Sequence, residues 1–294
     1  MADRPRFGPA GIPPAFKVLK KPVVEVPVFL HEEGLDAFEY QAVRWGAKPQ
    51  MKRSDAETLG DKAIENDVWL SVHGSYFINL CGSEEKVEAS KKRLLACVTA
   101  ANWMGAYIVV FHPGFYGKLS PKEALKSCVK AMSEVVESMR SLGIKNVKLG
   151  PETTGKPSQL GSLEEILTIC EVVEQTSPVV DWAHIHAREH GKLKEAEDFL
   201  KVLNEIEERL GAEAVKNLHC HYTRVEFTEK GERRHHVMEE TDFGPDFEPL
   251  ASIIAEMGLN PVIISESPIL DVDSLKMRDM VLAEFKRRGK SFRS

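Results

Sequence analysis

Paired cysteines are missing from this 294-residue chain, although it contains five cysteines. No two of them stand in the C-x-x-C arrangement that marks a zinc knuckle or a redox motif. Their scattered spacing does not indicate the disulfide framework of a small secreted domain either. The sequence therefore predicts reduced cysteines packed in a core, at Cys81, Cys97, Cys128, Cys170 and Cys220.

The chain also lacks a long hydrophobic run. Hydrophobic residues make up 43% of it and charged residues 29%, which is an ordinary balance for a globular protein. No apolar stretch approaches the roughly 20 residues that a membrane-spanning helix needs. The first residues, Met-Ala-Asp-Arg-Pro-Arg, are charged and no apolar segment follows them, so a secretory signal is not expected. We predict a cytoplasmic protein without a membrane span.

An excess of basic residues is absent as well. The 39 Lys and Arg residues stand against 45 Asp and Glu residues, which gives a formal net charge of -6. This balance disfavours a nonspecific nucleic-acid binder, whose contact surface is normally basic. It is compatible with a carboxylate-lined metal site, because bound cations restore a positive potential locally.

What the chain does contain is a regular alternation of predicted strands and helices. Strand-like apolar runs cover residues 6–13, 36–43, 68–73, 107–111, 147–149, 178–183, 215–225 and 261–265. Helical spacing or capping residues mark 22–33, 54–66, 84–104, 121–142, 162–173, 193–210, 247–257 and 274–288. Residues 226–240 are predicted to form a highly charged loop. Eight strand–helix units without a linker favour one α/β domain over residues 1–294, a closed (β/α)8 TIM barrel.

Several of the predicted strands end in a polar residue of the kind that binds metals. Glu152 follows one apolar run, within residues 148–155, and alone it would indicate little. The same layout recurs at His73, His112, Asp181 with His184, His219 with His221, and Glu266. Because the carboxyl ends of barrel strands meet at one rim, the recurrence predicts a metal centre with several ions at that rim.

Two of these strand ends carry a pair of candidates. Asp181 and His184 would lie on opposite faces of a continuous strand, so both reach one site only if the strand ends between them. His219 and His221 share a strand face, and the later residue is nearer the rim. We therefore prefer His221 as the ligand and keep His219 as the alternative.

The remaining candidates have plain structural alternatives. His73 and His112 are also compatible with turn histidines whose nitrogens bond to the backbone. His235 lies in the predicted charged loop, where a histidine is usually solvated, and Glu266 could be a surface carboxylate before a helix. A site rich in histidine and carboxylate and free of cysteine suits zinc or manganese. A glutamate such as Glu152 can bridge two ions about 3.5–4 Å apart.

The ordered motifs together resemble the endonuclease IV family of apurinic/apyrimidinic endonucleases. The similarity extends over residues 68–268 and is carried by VHGSYFINL (72–80), VFHPG (110–114), PETTG (151–155), DWAH (181–184), a histidine at 219–221, RHH (234–236) and ESP (266–268). It implies a TIM barrel with three zinc ions. One ion would be held by His73, His112 and Glu152, a second by Glu152, Asp181, His221 and Glu266, and a third by His184 and His235. It also implies that Tyr76 and Phe77 are the wedge inserted into DNA.

The sequence departs from the family pattern at three positions. Arg233 stands where the family has an aspartate ligand of the third ion, and Glu232 is the nearest carboxylate. Arg224 replaces an aspartate after the seventh strand, and Thr153 replaces an asparagine after Glu152. These changes indicate a divergent branch.

The resemblance implies a monomeric, metal-dependent enzyme that cuts double-stranded DNA on the 5′ side of an abasic site. Two alternatives remain open at this point. One is a sugar isomerase or epimerase, because xylose-isomerase-like barrels also place Glu, Asp, His and Glu on strand ends, although His112, His184 and His235 are surplus to that chemistry. The other is a barrel that binds damaged DNA and has lost turnover.

Overall fold

The computed structural model describes residues 3–290. Both ends of the predicted 1–294 domain therefore lie outside the described residues. This includes the first two residues of the N-terminal segment in which no secretory signal is expected. The strands are β1 Arg6–Pro9, β2 Ala37–Gln41, β3 Trp69–His73, β4 Ile108–Phe111, β5 Gly114–Phe115, β6 Lys148–Pro151, β7 Gln159–Leu160, β8 Val179–Asp181, β9 His219–Tyr222, β10 Arg224–Thr228, β11 Gly231–His236 and β12 Val262–Ser265.

The helices surround these strands in an equally regular order. They are α1 Pro14–Val18, α2 Val26–Glu32, α3 Arg53–Glu65, α4 Glu84–Trp103, α5 Pro121–Ser141, α6 Leu163–Val172, α7 Trp182–Arg188, α8 Ala196–Leu210, α9 Ala212–Lys216, α10 Glu248–Met257 and α11 Asp271–Arg287. A short 3-10 helix, Val23–Glu25, precedes α2.

Eight of the strands form a closed parallel ring. Hydrogen bonds join them in two arcs, β1-β12-β9-β8 and β2-β3-β4-β6. Parallel bridges between Ala10 and Glu39, and between Glu152 and Val179, connect the two arcs. The ring therefore runs in sequence order, and the predicted TIM barrel is confirmed.

Strand alternation decides which side chains face the inside of this ring. In β4, Val109 and Phe111 pack in the large core with the helices, whereas Ile108 and Val110 belong to a separate small cluster with Val179. Gly150 leaves room for that inner cluster, because a Cβ there would stand 2.8 Å from Ile108 and Val179 side-chain atoms. The same alternation turns polar side chains inward near the strand ends.

The helices α5 and α6 begin where their capping residues predict. The side chains of Ser120 and Ser162 accept hydrogen bonds from the backbone N–H groups of Glu123 and Glu165, respectively. Each glutamate carboxylate in turn accepts one from the backbone N–H of its serine, which completes two capping boxes. The five cysteines are free, and four of them are buried, as predicted. Within residues 3–290, no helix is long and apolar enough to cross a membrane.

Several predicted element boundaries are wrong, and three predicted segments differ most from the structure. The seventh strand was expected over 215–225, but α9 ends at Lys216 and the barrel strand covers only His219–Tyr222. The first predicted strand, 6–13, ends at Pro9, where the chain turns into α1 through Pro13. The predicted loop 226–240 contains most of an antiparallel hairpin, because β10 and β11 pair across Glu229 and Lys230.

Candidate metal centre

The eight predicted ligands converge at the carboxyl ends of the barrel strands. Five of them line a pocket of about 280 Å³ together with Glu232, and these are His73, His112, His184, His235 and Glu266. The side chains of Glu152, Asp181 and His221 are completely buried at its floor. The full set is His73, His112, Glu152, Asp181, His184, His221, His235 and Glu266.

Glu152 lies at the centre of this group, and its two oxygens face different imidazoles. Its Oε2 atom is 3.1 Å from His112 Nε2 and 3.5 Å from His73 Nε2. Its Oε1 atom is 3.1 Å from His221 Nδ1 and 3.4 Å from His184 Nδ1. One carboxylate therefore separates two groups of histidines, which is the arrangement needed to bridge two cations.

His221 directs one nitrogen at several carboxylates. Its Nδ1 atom is 3.1 Å from Glu152 Oε1, 3.3 Å from Glu266 Oε1 and 4.0 Å from Asp181 Oδ2. These four residues are the set that the sequence resemblance assigns to a second ion. These four side chains already lie together in the folded barrel, so no rearrangement of the fold is needed to bring them to one ion.

The end of β8 explains how Asp181 and His184 reach one site. The strand stops at Asp181, and α7 begins at Trp182 rather than after the predicted strand end at 183. Asp181 Oδ1 caps the helix by accepting a 2.7 Å hydrogen bond from His184 N. Its other oxygen, Oδ2, lies 3.6 Å from His184 Nδ1.

A third cluster forms between α7 and the hairpin. Glu232 Oε2 lies 3.2 Å from His184 Nε2, and Glu232 Oε1 lies 3.2 Å from His235 Nε2. Arg233, the residue at the family's aspartate position, is exposed and pairs with Glu226 instead. Glu232 thus supplies the carboxylate that the family pattern places one residue later.

A β-bulge brings Glu232 to the position where it faces His184. Glu226 pairs with Arg234 but the next residue, Phe227, pairs with Glu232, so Arg233 is the extra residue on its strand. Glu232 and His235 are three residues apart, and strict alternation would put them on opposite faces. The bulge restores both to the side that faces His184.

Hydrogen bonds fix the tautomers of three histidines. The Nδ1 atoms of His73, His184 and His235 lie 3.0, 2.8 and 3.1 Å from the carbonyl oxygens of Gly74, Thr153 and Glu266. A carbonyl can only accept, so each Nδ1 carries a proton. In the neutral imidazole, each Nε2 then points a lone pair at a carboxylate oxygen, and these pairs repel unless a cation lies between them.

The spacings fit that cation. Two atoms bound tetrahedrally to one zinc at about 2.0–2.2 Å stand roughly 3.3–3.6 Å apart. The separations between Glu152 and the nitrogens of His73, His112 and His221 are close to this, at 3.1–3.5 Å. Three further atoms, Glu152 Oε2, Asp181 Oδ2 and His235 Nε2, are buried without a hydrogen-bond partner. Burial of such groups is costly, and metal ions bound at the three ligand groups would satisfy these atoms.

The electrostatics agree. Burial lowers the pKa of the His73 and His235 imidazoles, but Glu152 and Glu232 outweigh it and raise each pKa to about 9. Burial raises the pKa of Glu266, but His221 and His235 bring it down to about 2. Burial leaves the pKa of Asp181 raised despite His184 beside it. Without metal, the imidazoles of His73 and His235 are therefore protonated at neutral pH, so each Nε2 atom that faces a carboxylate holds either a proton or a metal ion.

Sequence reasoning missed Glu39, which lies in the middle of β2. Its buried carboxylate accepts a 2.9 Å hydrogen bond from Ser71 Oγ and lies 3.2 Å from the Nε2 atoms of both His219 and His221. The other nitrogen of His219, Nδ1, contacts the hydroxyl of Tyr107 at 2.5 Å. Of the two alternatives on β9, His221 is therefore the one placed against Glu152, and His219 lies behind it.

Arg224 has no place in the pocket. Its side chain is buried and donates hydrogen bonds to the carbonyl oxygens of Met238 and Phe243. It also forms an ion pair with Asp246. The residue therefore secures the segment after the hairpin.

Tyr76 lines the pocket, and Phe77 is the next residue along the chain. Their exposed fractions are 57% and 62%, although both are large and apolar. The Tyr76 ring lies 5.3 Å from the ring of His73 and 6.3 Å from that of His112. An exposed aromatic pair thus borders the predicted metal ligands.

Comparisons with known proteins identify proteins that are similar to this chain. The family model described as "Xylose isomerase-like TIM barrel" matches residues 28–280. An uncharacterized protein of Methanocaldococcus jannaschii is 33% identical over 92% of this chain and 94% of its own length. The probable endonuclease 4 of Aquifex aeolicus is 28% identical over 69% of this chain and 73% of its own.

Solved structures share the fold at lower identity. Endonuclease IV of Thermus thermophilus superposes with a TM-score of 0.67, at 21% identity, and covers 90% of this chain and 96% of that one. A D-tagatose 3-epimerase-like protein gives a TM-score of 0.64 at 17% identity, over 92% and 97%.

Proposed function

The chain belongs to the xylose isomerase-like TIM barrel family, in a divergent endonuclease IV-like branch, and we propose that it is a metal-dependent DNA repair endonuclease. Its substrate would be double-stranded DNA with an abasic site. The observation that carries this proposal is the three-part ligand arrangement, in which Glu152 lies between two groups and Glu232 completes a third. Several cations around one scissile phosphate can stabilise both the attacking and the leaving oxygen of a phosphodiester cleavage.

The residues available match three ions. His73, His112 and Glu152 would hold the first, and Glu152, Asp181, His221 and Glu266 the second. His184, Glu232 and His235 would hold the third. Zinc suits this donor set, and manganese is the alternative metal.

Bound cations would supply Lewis acidity, charge neutralisation at the phosphate and a water of lowered pKa. Water adds to phosphorus and the bond from phosphorus to the 3′ oxygen breaks, which leaves a 3′-hydroxyl and a 5′-deoxyribose phosphate. Glu152 fixes the spacing between ligand groups through its two oxygens. Tyr76 and Phe77 would hold the duplex open at the abasic site, because exposed apolar side chains inserted between base steps stabilise distorted DNA.

The second candidate is sugar isomerisation or epimerisation at one ion. The convergence of Glu152, Asp181, His221 and Glu266 alone would suit it. The cluster of His184, Glu232 and His235 has no use in that chemistry, which favours the nuclease. The cytoplasmic location and the monomeric state stay predictions.

The test is a nicking assay on a duplex with one abasic site, using full-length protein loaded with zinc. We expect one cut 5′ to the site, a primer end that a polymerase extends, and about three metal equivalents per chain. A protein that binds a single manganese or cobalt ion and interconverts ketoses without nicking would favour the second candidate. Tight binding of abasic duplex without a cut would indicate a silent DNA-binding barrel.

A further inference from the structure

A second part of the pocket wall is formed by Phe115 and Lys156. Both line the same cavity as the histidines and Tyr76. Phe115 is 45% exposed, which places it with Tyr76 and Phe77 among the exposed large apolar residues of the described chain. It belongs to β5, however, so it is separate in sequence from the wedge pair.

Phe115 is held in place by its backbone. The strand β5 pairs antiparallel with β7, where Phe115 stands opposite Gln159. Phe115 N also donates a 3.3 Å hydrogen bond to Asn79 Oδ1. The preceding Gly114 has a φ of 141°, and a Cβ there would stand 2.3 Å from Asn79 Oδ1. The ring is exposed although its backbone is fixed, which is typical of a binding residue.

Arg188 holds the loop that carries Lys156. Its Nη1 atom donates to the carbonyl oxygens of Lys156 at 2.7 Å and Gln159 at 3.0 Å. Its Nη2 atom donates to the hydroxyl of Tyr116 at 3.2 Å, and that hydroxyl donates to Glu165 at 2.8 Å. One network therefore fixes the residue after Phe115 and the loop of Lys156 together.

The hairpin supports the same loop from the other side. Glu232 N donates a 3.0 Å hydrogen bond to the carbonyl oxygen of Gly155. Because Glu232 belongs to the third ligand cluster, the loop of Lys156 is tied directly to the candidate metal centre.

Lys156 lines the pocket together with Phe115 and is exposed. Among residues 3–290, its ammonium forms no ion pair and no side-chain hydrogen bond. An exposed aromatic ring beside an unpaired lysine can bind an unstacked nucleotide, by stacking on the base and attraction to the phosphate.

We propose that Phe115 and Lys156 form a nucleotide subsite of the metal pocket. The Phe115 ring stacks on a base beside the abasic site, and the Lys156 ammonium binds a phosphate of the strand that is cut. This inference rests on the proposed endonuclease function. It gives a binding role to the part of the pocket wall that Tyr76 and Phe77 do not form.

Phe115→Ala tests the stacking contact. In metal-loaded, full-length protein we expect binding of an abasic duplex, followed by fluorescence anisotropy, to weaken about tenfold, within the range for one stacked base. Phe115→Trp should bind within twofold of the unaltered protein, because the indole ring also stacks. The matched control is Leu142→Ala, since Leu142 is 59% exposed and precedes β6 at the opposite end of the barrel.

Lys156→Gln tests the phosphate contact through salt. Loss of one phosphate contact should reduce the slope of log affinity against log salt concentration by about one, and Lys156→Arg should restore it. The exposed Lys145 also precedes β6, so Lys145→Gln is the matched control and should leave the slope unchanged. Melting temperature and metal content should stay constant in all variants.

The outcomes separate this inference from the proposed function. If the unaltered protein nicks abasic DNA but Phe115→Ala and Lys156→Gln behave like the controls, the subsite is wrong and the endonuclease stands. If the unaltered protein neither binds nor nicks abasic DNA, both the nucleotide subsite and the proposed endonuclease function are wrong. If the two variants instead raise the Michaelis constant for a ketose, the wall binds a sugar and the nucleotide subsite is also wrong.

Discussion

Glu152 is the residue that connects two groups of histidines, and its substitution gives the first prediction. Glu152→Gln keeps the shape of the side chain but removes the negative charge that the proposed site would share between two cations. We expect nicking to fall by orders of magnitude, and bound metal to fall with it, while the far-ultraviolet circular dichroism spectrum shows that the barrel stays folded. Metal analysis and single-turnover nicking measure both effects.

The control for this substitution is Glu164→Gln, because Glu164 is exposed at the start of α6. It loses the same charge far from the pocket and should leave both readouts unchanged. Near-normal nicking by Glu152→Gln would contradict the bridging role.

Glu39 gives a second prediction at the same scale. Its carboxylate lies 3.2 Å from His221 Nε2, so it orients the ring whose Nδ1 faces Glu152, Asp181 and Glu266. Outer carboxylates of this kind typically contribute about 10- to 100-fold to metal affinity. We expect Glu39→Gln to weaken one class of bound metal by that factor in a chelator competition, with the other ions retained. Equal weakening of all ions would indicate general damage to the barrel floor.

The hairpin β10–β11 is the element that completes the third cluster. Glu232→Ala removes the only carboxylate that lies between His184 and His235 in the described structure. We expect the protein to lose one of three metal equivalents and to keep the other two. The neighbouring Arg233→Ala should keep all three, because Arg233 is the bulged, exposed residue. Loss of metal in Arg233→Ala alone would show that the cluster has been assigned to the wrong residue.

The elements also show where sequence pattern stops being informative. The eight barrel strands follow from apolar runs, and their polar ends predict which residues meet, because the topology of parallel strands brings those ends together. The bulge at Arg233 could not be predicted, since it depends on the register between β10 and β11. The family's aspartate position therefore drew attention to Arg233, while the carboxylate that faces the site is Glu232.

The burial of Glu39 and Arg224 also could not be predicted from the sequence. Glu39 lies inside a strand whose polar and apolar residues alternate, a pattern that predicts a solvent-facing glutamate. Closure of the barrel instead buries Glu39 between Ser71 and His219. Arg224 stood at a position expected near the site, but its hydrogen bonds to Met238 and Phe243 carbonyl oxygens turn it away. Such partners are distant in sequence, so only the folded chain reveals them.

For the whole molecule, we predict that chelation abolishes activity without unfolding the barrel. The large core between strands and helices contains no candidate ligand of the metal centre, so its packing does not depend on bound ions, unlike a small zinc domain. Far-ultraviolet circular dichroism before and after chelation should coincide, while nicking disappears and returns when zinc is added. Global unfolding on metal removal would contradict this prediction.

The stability of the chelated molecule should depend on pH in a particular direction. Burial lowers the pKa of His73 and His235, but Glu152 and Glu232 outweigh it and raise each pKa to about 9. A raised pKa means that these imidazoles stabilise the folded state fully below their ordinary pKa of 6.5 and lose that contribution as the pH rises through about 9.

We therefore expect the melting temperature of the chelated protein to fall as the pH rises from about 6.5 through 9. The zinc-loaded protein should not follow it, because metal ligation requires neutral imidazoles and strengthens as protons leave. The gap between the two melting temperatures, measured by calorimetry across this range, should widen with pH. A constant gap would mean that protons and metal ions do not compete for these histidines, and the ligand assignment would have to be abandoned.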